Sequence, residues 1–148
     1  MKVVHVMTST AGGAGIAATR IHNAQRASGI DSSVLCLARP GGSNDNVHQF
    51  PTRFPTLGER IALKAGIRLS NADRISHRLG TLGVTGISFS EPVSDHDILA
   101  HPLVRDADVI NLHWVGGFLD WRAFFGRVNK PVTWTLHDLI PVLGGFHF

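Results

Sequence analysis

Four short stretches, Val3–Met7, Ser33–Ala38, Asp108–Trp114 and Pro131–Leu136, constrain the fold of this chain more than any other feature. Val3, Val4, His5, Val6 and Met7 form a near-continuous apolar run, the pattern of a central parallel strand covered on both faces. Between the first two runs lies a helical segment, Gly15–Ser28, with an inner stripe of Ala17, Ile21, Ala24 and Ser28. Gly29 follows as a natural helix stop. Strand, helix and strand in this short span make a βαβ unit with a right-handed crossover. Asp108–Trp114, a helix from about Leu119 to Val128, and Pro131–Leu136 repeat the pattern. The expected fold is an α/β three-layer domain with a mostly parallel sheet.

An insertion separates the two units. Arg39-Pro40-Gly41-Gly42-Ser43-Asn44-Asp45 is a turn-rich loop, and Val47–Phe50 reads as a short extra strand. Leu57–Leu79 reads as one long helix with an apolar stripe of Ile61, Ala65, Leu69, Ala72, Ile75 and Leu79. Beside it runs a basic stripe of Arg60, Lys64, Arg68, Arg74 and Arg78, and Gly66 is its weak point. Residues 57–80 hold five basic and two acidic side chains, so this segment alone matches the +3 net charge of the chain. Such a helix suits an anionic bilayer surface, and it equally suits a solvated face over a core stripe. Gly80–Gly86 reads as a connector, Ile87–Ser90 as an edge strand and Ser94–Asp97 as a helix start, with His101-Pro102 ending that turn.

The 148 residues, 43% of them apolar and 17% charged, allow one globular domain with a real core. An excess of only 14 basic over 11 acidic residues does not argue for nucleic acid as a partner. Cys36, the single cysteine, has no internal partner and reads as a small core residue, which favours a reducing compartment. The apolar run ending at Met7 is too short for a signal peptide core or a membrane span, so the expected location is the cytoplasm. The nine histidines are scattered without metal-ligand spacing, and neither metal nor cofactor is expected.

Chemistry is expected just beyond the carboxyl ends of the strands. Thr10-Ala11-Gly12-Gly13-Ala14-Gly15 joins the first strand to the first helix. Its glycines permit close backbone approach, and free amides at a helix start favour a phosphate or diphosphate. A tight turn without a ligand explains the same residues. Gly13-x-Gly15-x-x-Ala18 mimics a dinucleotide fingerprint, but Ala38-Arg39 stands where an acidic residue is required, and no Gly-Lys-Ser/Thr makes it a Walker loop. His113, followed by Trp114, ends one strand, and His137, followed by Asp138, ends the next. Either histidine can bond a hydroxyl or phosphate or act as acid or base, and Asp138 can orient an imidazole. Capping and packing roles stay open for all four residues.

Together these stretches resemble a known family. Met7–Ala18 with Arg20-Ile21-His22, His101-Pro102-Leu103, Ala107–Val115, and Thr133–Asp138 with Gly144-Gly145-Phe146-His147-Phe148 resemble the N-terminal domain of bacterial glycosyltransferase family 4, in its exopolysaccharide or colanic-acid-type subfamily. Ile140 and Phe146 depart from it: the family usually has an aromatic residue and a cysteine there. The resemblance implies a Rossmann-like domain over residues 1–148, with an insertion at about 55–90, forming an incomplete acceptor-side half of a GT-B architecture whose donor domain is absent. It implies retaining transfer of a hexosyl unit from a nucleotide-diphosphate sugar to a glycan or lipid-linked acceptor in polysaccharide biosynthesis, without a metal, and an inactive isolated chain. His137 and Asp138 would be the catalytic pair, Gly12 and Gly13 would approach the donor diphosphate, and His113 and Trp114 would lie on the acceptor side. A nucleotide- or dinucleotide-binding domain and a non-catalytic carbohydrate- or partner-binding module are the alternative readings.

Overall fold

The computed structural model describes residues 1–39, 45–52, 56–66, 78, 80, 81, 83, 89, 90 and 92–147. The elements are β1 (Lys2–Ser9), α1 (Gly12–Ala27), β2 (Asp31–Ala38), β3 (Val47–Gln49), α2 (Leu57–Lys64), a 3-10 turn (Ile98–Ala100), α3 (Pro102–Arg105), β4 (Val109–Leu112), α4 (Trp121–Phe125), β5 (Val132–Trp134) and α5 (Ile140–Leu143). The five strands form one sheet in the order β3-β2-β1-β4-β5, with every pairing parallel. This is the expected α/β Rossmann-like three-layer domain. The chain winds outward from β1 through β2 to β3, then returns to the other side of β1 for β4 and β5. The boundary between β1 and β4 is therefore a topological switch point, where ligands of open α/β sheets bind.

The sheet has two unlike faces. Val4, Val6, Leu35, Ile110 and Leu112 point to one of them and pack with Ile98, Val104, Phe118, Leu119 and Phe124 in a wholly apolar cluster. Burying side chains of this kind stabilises the fold by about 1.5–3 kcal/mol each. The register puts His5, Ser32, Val34, Cys36 and Asn111 on the other face, beneath α1. There Met7, Ala18, Val34, Cys36 and Val47 form a smaller cluster, and buried His5, His22, Ser32, Asn111 and His113 lie among or beside it. Cys36 is free and buried, and burial pushes its thiol upward, as befits a core residue.

Several boundaries differ from the sequence reading. Helix α1 begins at Gly12 rather than Gly15, and its buried positions are Gly15, Ala18 and His22 instead of Ala17, Ile21, Ala24 and Ser28. The inner stripe is partly polar because the sheet beneath it offers hydrogen-bond partners. The long helix over Leu57–Leu79 is not continuous: α2 ends at Lys64, and Gly66 takes φ +68°, which a right-handed helix cannot contain. Thr56 and Glu59 cap its start reciprocally, a capping box. Ile61, assigned to an apolar stripe, is 60% exposed. His101-Pro102 ends the 3-10 turn as expected, the His101 amide donating to the Ile98 carbonyl at 3.1 Å. The same pair also opens α3, with Pro102 at the first helical position and the His101 ring accepting from the Leu103 amide. Arg68, Leu69, Ala72, Arg74, Ile75 and Leu79 lie outside the described residues, as do Ile87, Ser88 and most of the loop after Arg39. Phe89, within the expected edge strand, forms an isolated antiparallel bridge with Phe146.

Candidate functional site at the carboxyl rim

Because all five strands run the same way, the residues that follow β1, β4 and β5 reach one rim. The ends of β1 and β4 are stitched together beyond the sheet. The Thr8 amide donates to the Trp114 carbonyl at 2.8 Å, and the Thr8 hydroxyl donates to the Gly116 carbonyl at 2.8 Å.

The glycine loop enters this rim at the switch point. Gly12, with φ +75°, favours a residue without Cβ, and Gly12 and Gly13 are both exposed. The tightest packing falls on Gly15, where a Cβ would lie 2.4 Å from the Thr10 carbonyl carbon. Ala11 provides no side-chain cap to α1. The first-turn amides thus stand at the rim without the carboxylate or hydroxyl that usually satisfies them. Arg39, which stands where a dinucleotide fingerprint requires an acidic residue, turns back onto β3, where its Nη1 donates to the Val47 carbonyl at 2.9 Å.

The histidines of the rim belong to a chain that crosses beneath α1. The Gln25 Oε1 atom lies 2.8 Å from His5 Nε2. His5 Nδ1 lies 2.9 Å from His113 Nε2. His113 Nδ1 lies 2.9 Å from His137 Nε2. The His113 and His137 rings are stacked at 5.2 Å. His22 sits edge-on to His5 and bonds the Ser32 hydroxyl through Nδ1 at 2.8 Å. Burial holds His5 below the usual imidazole range, although its bond to Gln25 opposes this. Burial, followed by repulsion from His5 and His137, pushes His113 down to about 3. Burial, with repulsion from His5 and Arg26, also lowers His22, against an opposing backbone bond at Asp45. His5 and His113 are accordingly neutral near pH 7. His137, partly exposed, is the outer end of the chain. No buried side-chain nitrogen or oxygen lacks a partner among the described residues.

Asp138 is engaged elsewhere. Its Oδ1 accepts from the Ile140 amide at 3.1 Å, and its Oδ2 accepts from His147 Nδ1 at 2.9 Å. The other nitrogen of His147 meets the Ser90 hydroxyl at 3.0 Å. Asp138 does orient an imidazole, but that imidazole is His147, and the contact pins the 144–147 segment against Phe89 and Ser90. Trp114 lies over the His147 ring, with centroids 6.0 Å apart. Two surface clefts of about 150 and 190 Å³ lie elsewhere, one between Ser94–Leu99 and α4, the other at the amino ends of the strands beside Lys2 and Asp106. Neither is lined by Gly12, Gly13, His113 or His137. Among the described residues, no group of three or more His, Cys, Asp or Glu is arranged to hold a metal ion, and no helix is long and apolar enough to cross a membrane.

No protein-family model, curated protein or solved structure matches the chain. The site therefore rests on its own geometry. That geometry puts Gly12, Gly13, His113 and His137 at the carboxyl rim, with Trp114 beside β1 and Asp138 facing His147. The sequence reading missed His5 and Gln25, which hold the two rim histidines. It also missed Ser90 and His147, which hold Asp138.

Proposed function

We propose that this domain is the acceptor-side part of a retaining glycosyltransferase, which moves a hexosyl unit from a nucleotide-diphosphate sugar to a glycan or lipid-linked acceptor. The observation that carries the reading is the switch point between β1 and β4, where an uncapped glycine-rich helix start and a supported histidine share one rim. A diphosphate is matched by the free amides at Gly12 and Gly13 together with the positive end of α1. A sugar hydroxyl is matched by the imidazole of His137. Asp138 acts by fixing His147 and the 144–147 segment, so His137 alone of the pair touches ligand in this reading. Trp114 supports the same segment from the acceptor side.

Leu136, Leu139, Val142 and Leu143 are exposed next to His137. An exposed apolar surface beside a site fits a second domain closing over it. On α2, Leu57 and Ile61 are exposed beside Arg60 and Lys64, which suits contact with an anionic bilayer carrying the lipid-linked acceptor. Vesicles containing phosphatidylserine should bind the chain, and Lys64→Glu should weaken binding by about fivefold or more.

Incubation with UDP-glucose and a polyprenyl-diphosphate-linked sugar tests the main reading. The expected result is saturable binding of the lipid-linked sugar without transfer. Transfer by this chain alone would contradict the assignment of donor chemistry to another domain. Failure to bind either compound would contradict the reading as a whole.

A further inference from the structure

The chain of three rings has a direction. The Gln25 Oε1 atom accepts and cannot donate, so His5 Nε2 carries the ring hydrogen. A neutral imidazole has one N–H. His5 Nδ1 is therefore a lone pair, and it accepts from His113 Nε2–H. By the same count His113 Nδ1 accepts from His137 Nε2–H. His137 Nδ1 bonds no protein group among the described residues, and it is left with the last lone pair.

We propose that Gln25, acting through His5 and His113, fixes the tautomer of His137 so that its Nδ1 is the acceptor offered to a ligand hydroxyl at the rim. Gln25, His5 and His113 are positioning residues, and His137 is the ring that touches the ligand. The wiring itself stands on the three contacts alone. Only the identity of the hydroxyl as a sugar's rests on the proposed function.

Two features separate this device from routine satisfaction of buried polar groups. The acceptor that sets the direction lies on α1, two rings away from the ring it controls. Burial also disfavours the charged forms of His5 and His113, so each inner ring keeps one N–H and one lone pair and passes a single direction outward. The chain thus orients His137.

Long-range ¹⁵N–¹H spectra of the 148-residue protein read imidazole tautomers directly. The expected result is Nε2-protonated, Nδ1-bare His5 and His113, with Nε2 of His137 also carrying hydrogen. Gln25→Glu supplies an acceptor in the same place and should keep that pattern. Gln25→Leu removes the acceptor, and His113 should then sample both tautomers. Nδ1-protonated His113 in the unaltered protein would overturn the proposal. So would a His113 tautomer unchanged by Gln25→Leu. If Gln25→Leu does not fold, the unaltered protein and Gln25→Glu decide the matter, and loss of the pattern in Gln25→Glu counts against the proposal. Adding UDP-glucose should then shift the His137 Nδ1 resonance. Intact wiring with no such shift would refute the sugar reading and leave the wiring standing.

Discussion

The two faces of the sheet are built for different purposes. On one, Val4, Val6, Leu35, Ile110 and Leu112 meet Phe118, Leu119 and Phe124 without a polar side chain in the cluster. On the other, α1 brings His22 down onto a surface that holds His5, Ser32, Asn111 and His113. The apolar face needs only volume and shape, and it stabilises the sheet. The histidine face carries the desolvation cost of five buried polar side chains, offset by their hydrogen bonds to one another and to Gln25, Thr135 and His137. That arrangement gives a direction and a fixed orientation to His137, which apolar packing cannot give. One sheet thereby separates stability from positioning.

The largest expected effect breaks the apolar side. Phe118→Ala should cost about 3–5 kcal/mol in chemical denaturation. At temperatures where it stays folded, its imidazole tautomers should be unchanged. A tautomer change in that variant would show that the faces are not separate.

Substituting on the histidine side should do the reverse. His113→Leu strands His5 Nδ1 and His137 Nε2, and should cost about 1–3 kcal/mol at pH 7. It should also change the acid sensitivity of the fold. His5, His22 and His113 have lowered values in the folded state, whereas the unfolded rings titrate near the ordinary value of about 6.5. The unfolded state therefore takes up protons first as pH falls. The stability due to neutral burial is fully present above about 6.5 and is lost as pH drops toward the folded values, about 3 for His113. Each such ring steepens the loss by at most ~1.4 kcal/mol per pH unit. Denaturation midpoints between pH 7 and 5 should fall for the natural chain and fall less for His113→Leu. Equal slopes would mean that His113 is not neutral and buried.

A smaller effect is expected at the rim. Gly12→Ala forces an L residue to φ +75° in open surroundings, at a cost of roughly 1–2 kcal/mol. Thermal melting checks this. The variant should keep the histidine chain, because Gln25 sits about four turns along α1 from the substitution.

The same contrast explains what the sequence could reveal. Near-continuous apolar runs marked β1 and β2, which are covered on both sides. β4, interrupted by Asn111, and the edge strand β5, interrupted by Thr133, were marked by their β-branched and apolar residues between turn signals. His113 and His137 were visible for a related reason, since each ends such a run. His5 was not, because it sits inside an apolar run and gains its meaning only when the register places it beside β4. Gln25 and His22 were hidden by the search for an apolar stripe on α1, when the stripe facing the sheet is Gly15, Ala18, His22 and Gln25. The break after Lys64 was signalled by Gly66, and the start of α2 by Thr56 and Glu59 in capping-box spacing. The partner of Asp138 was not legible, because His147 comes within reach only through the turn at Gly144 and Gly145, both with positive φ.

Shift mapping with UDP-glucose on ¹⁵N-labelled protein tests the central claim that the histidine face serves a ligand at the switch point. Saturable changes are expected at the Gly12 and Gly13 amides and at the His113 and His137 rings, with the Phe118 and Leu119 amides unmoved. Changes confined to the cleft beside Arg127, or to the one beside Lys2 and Asp106, would contradict it.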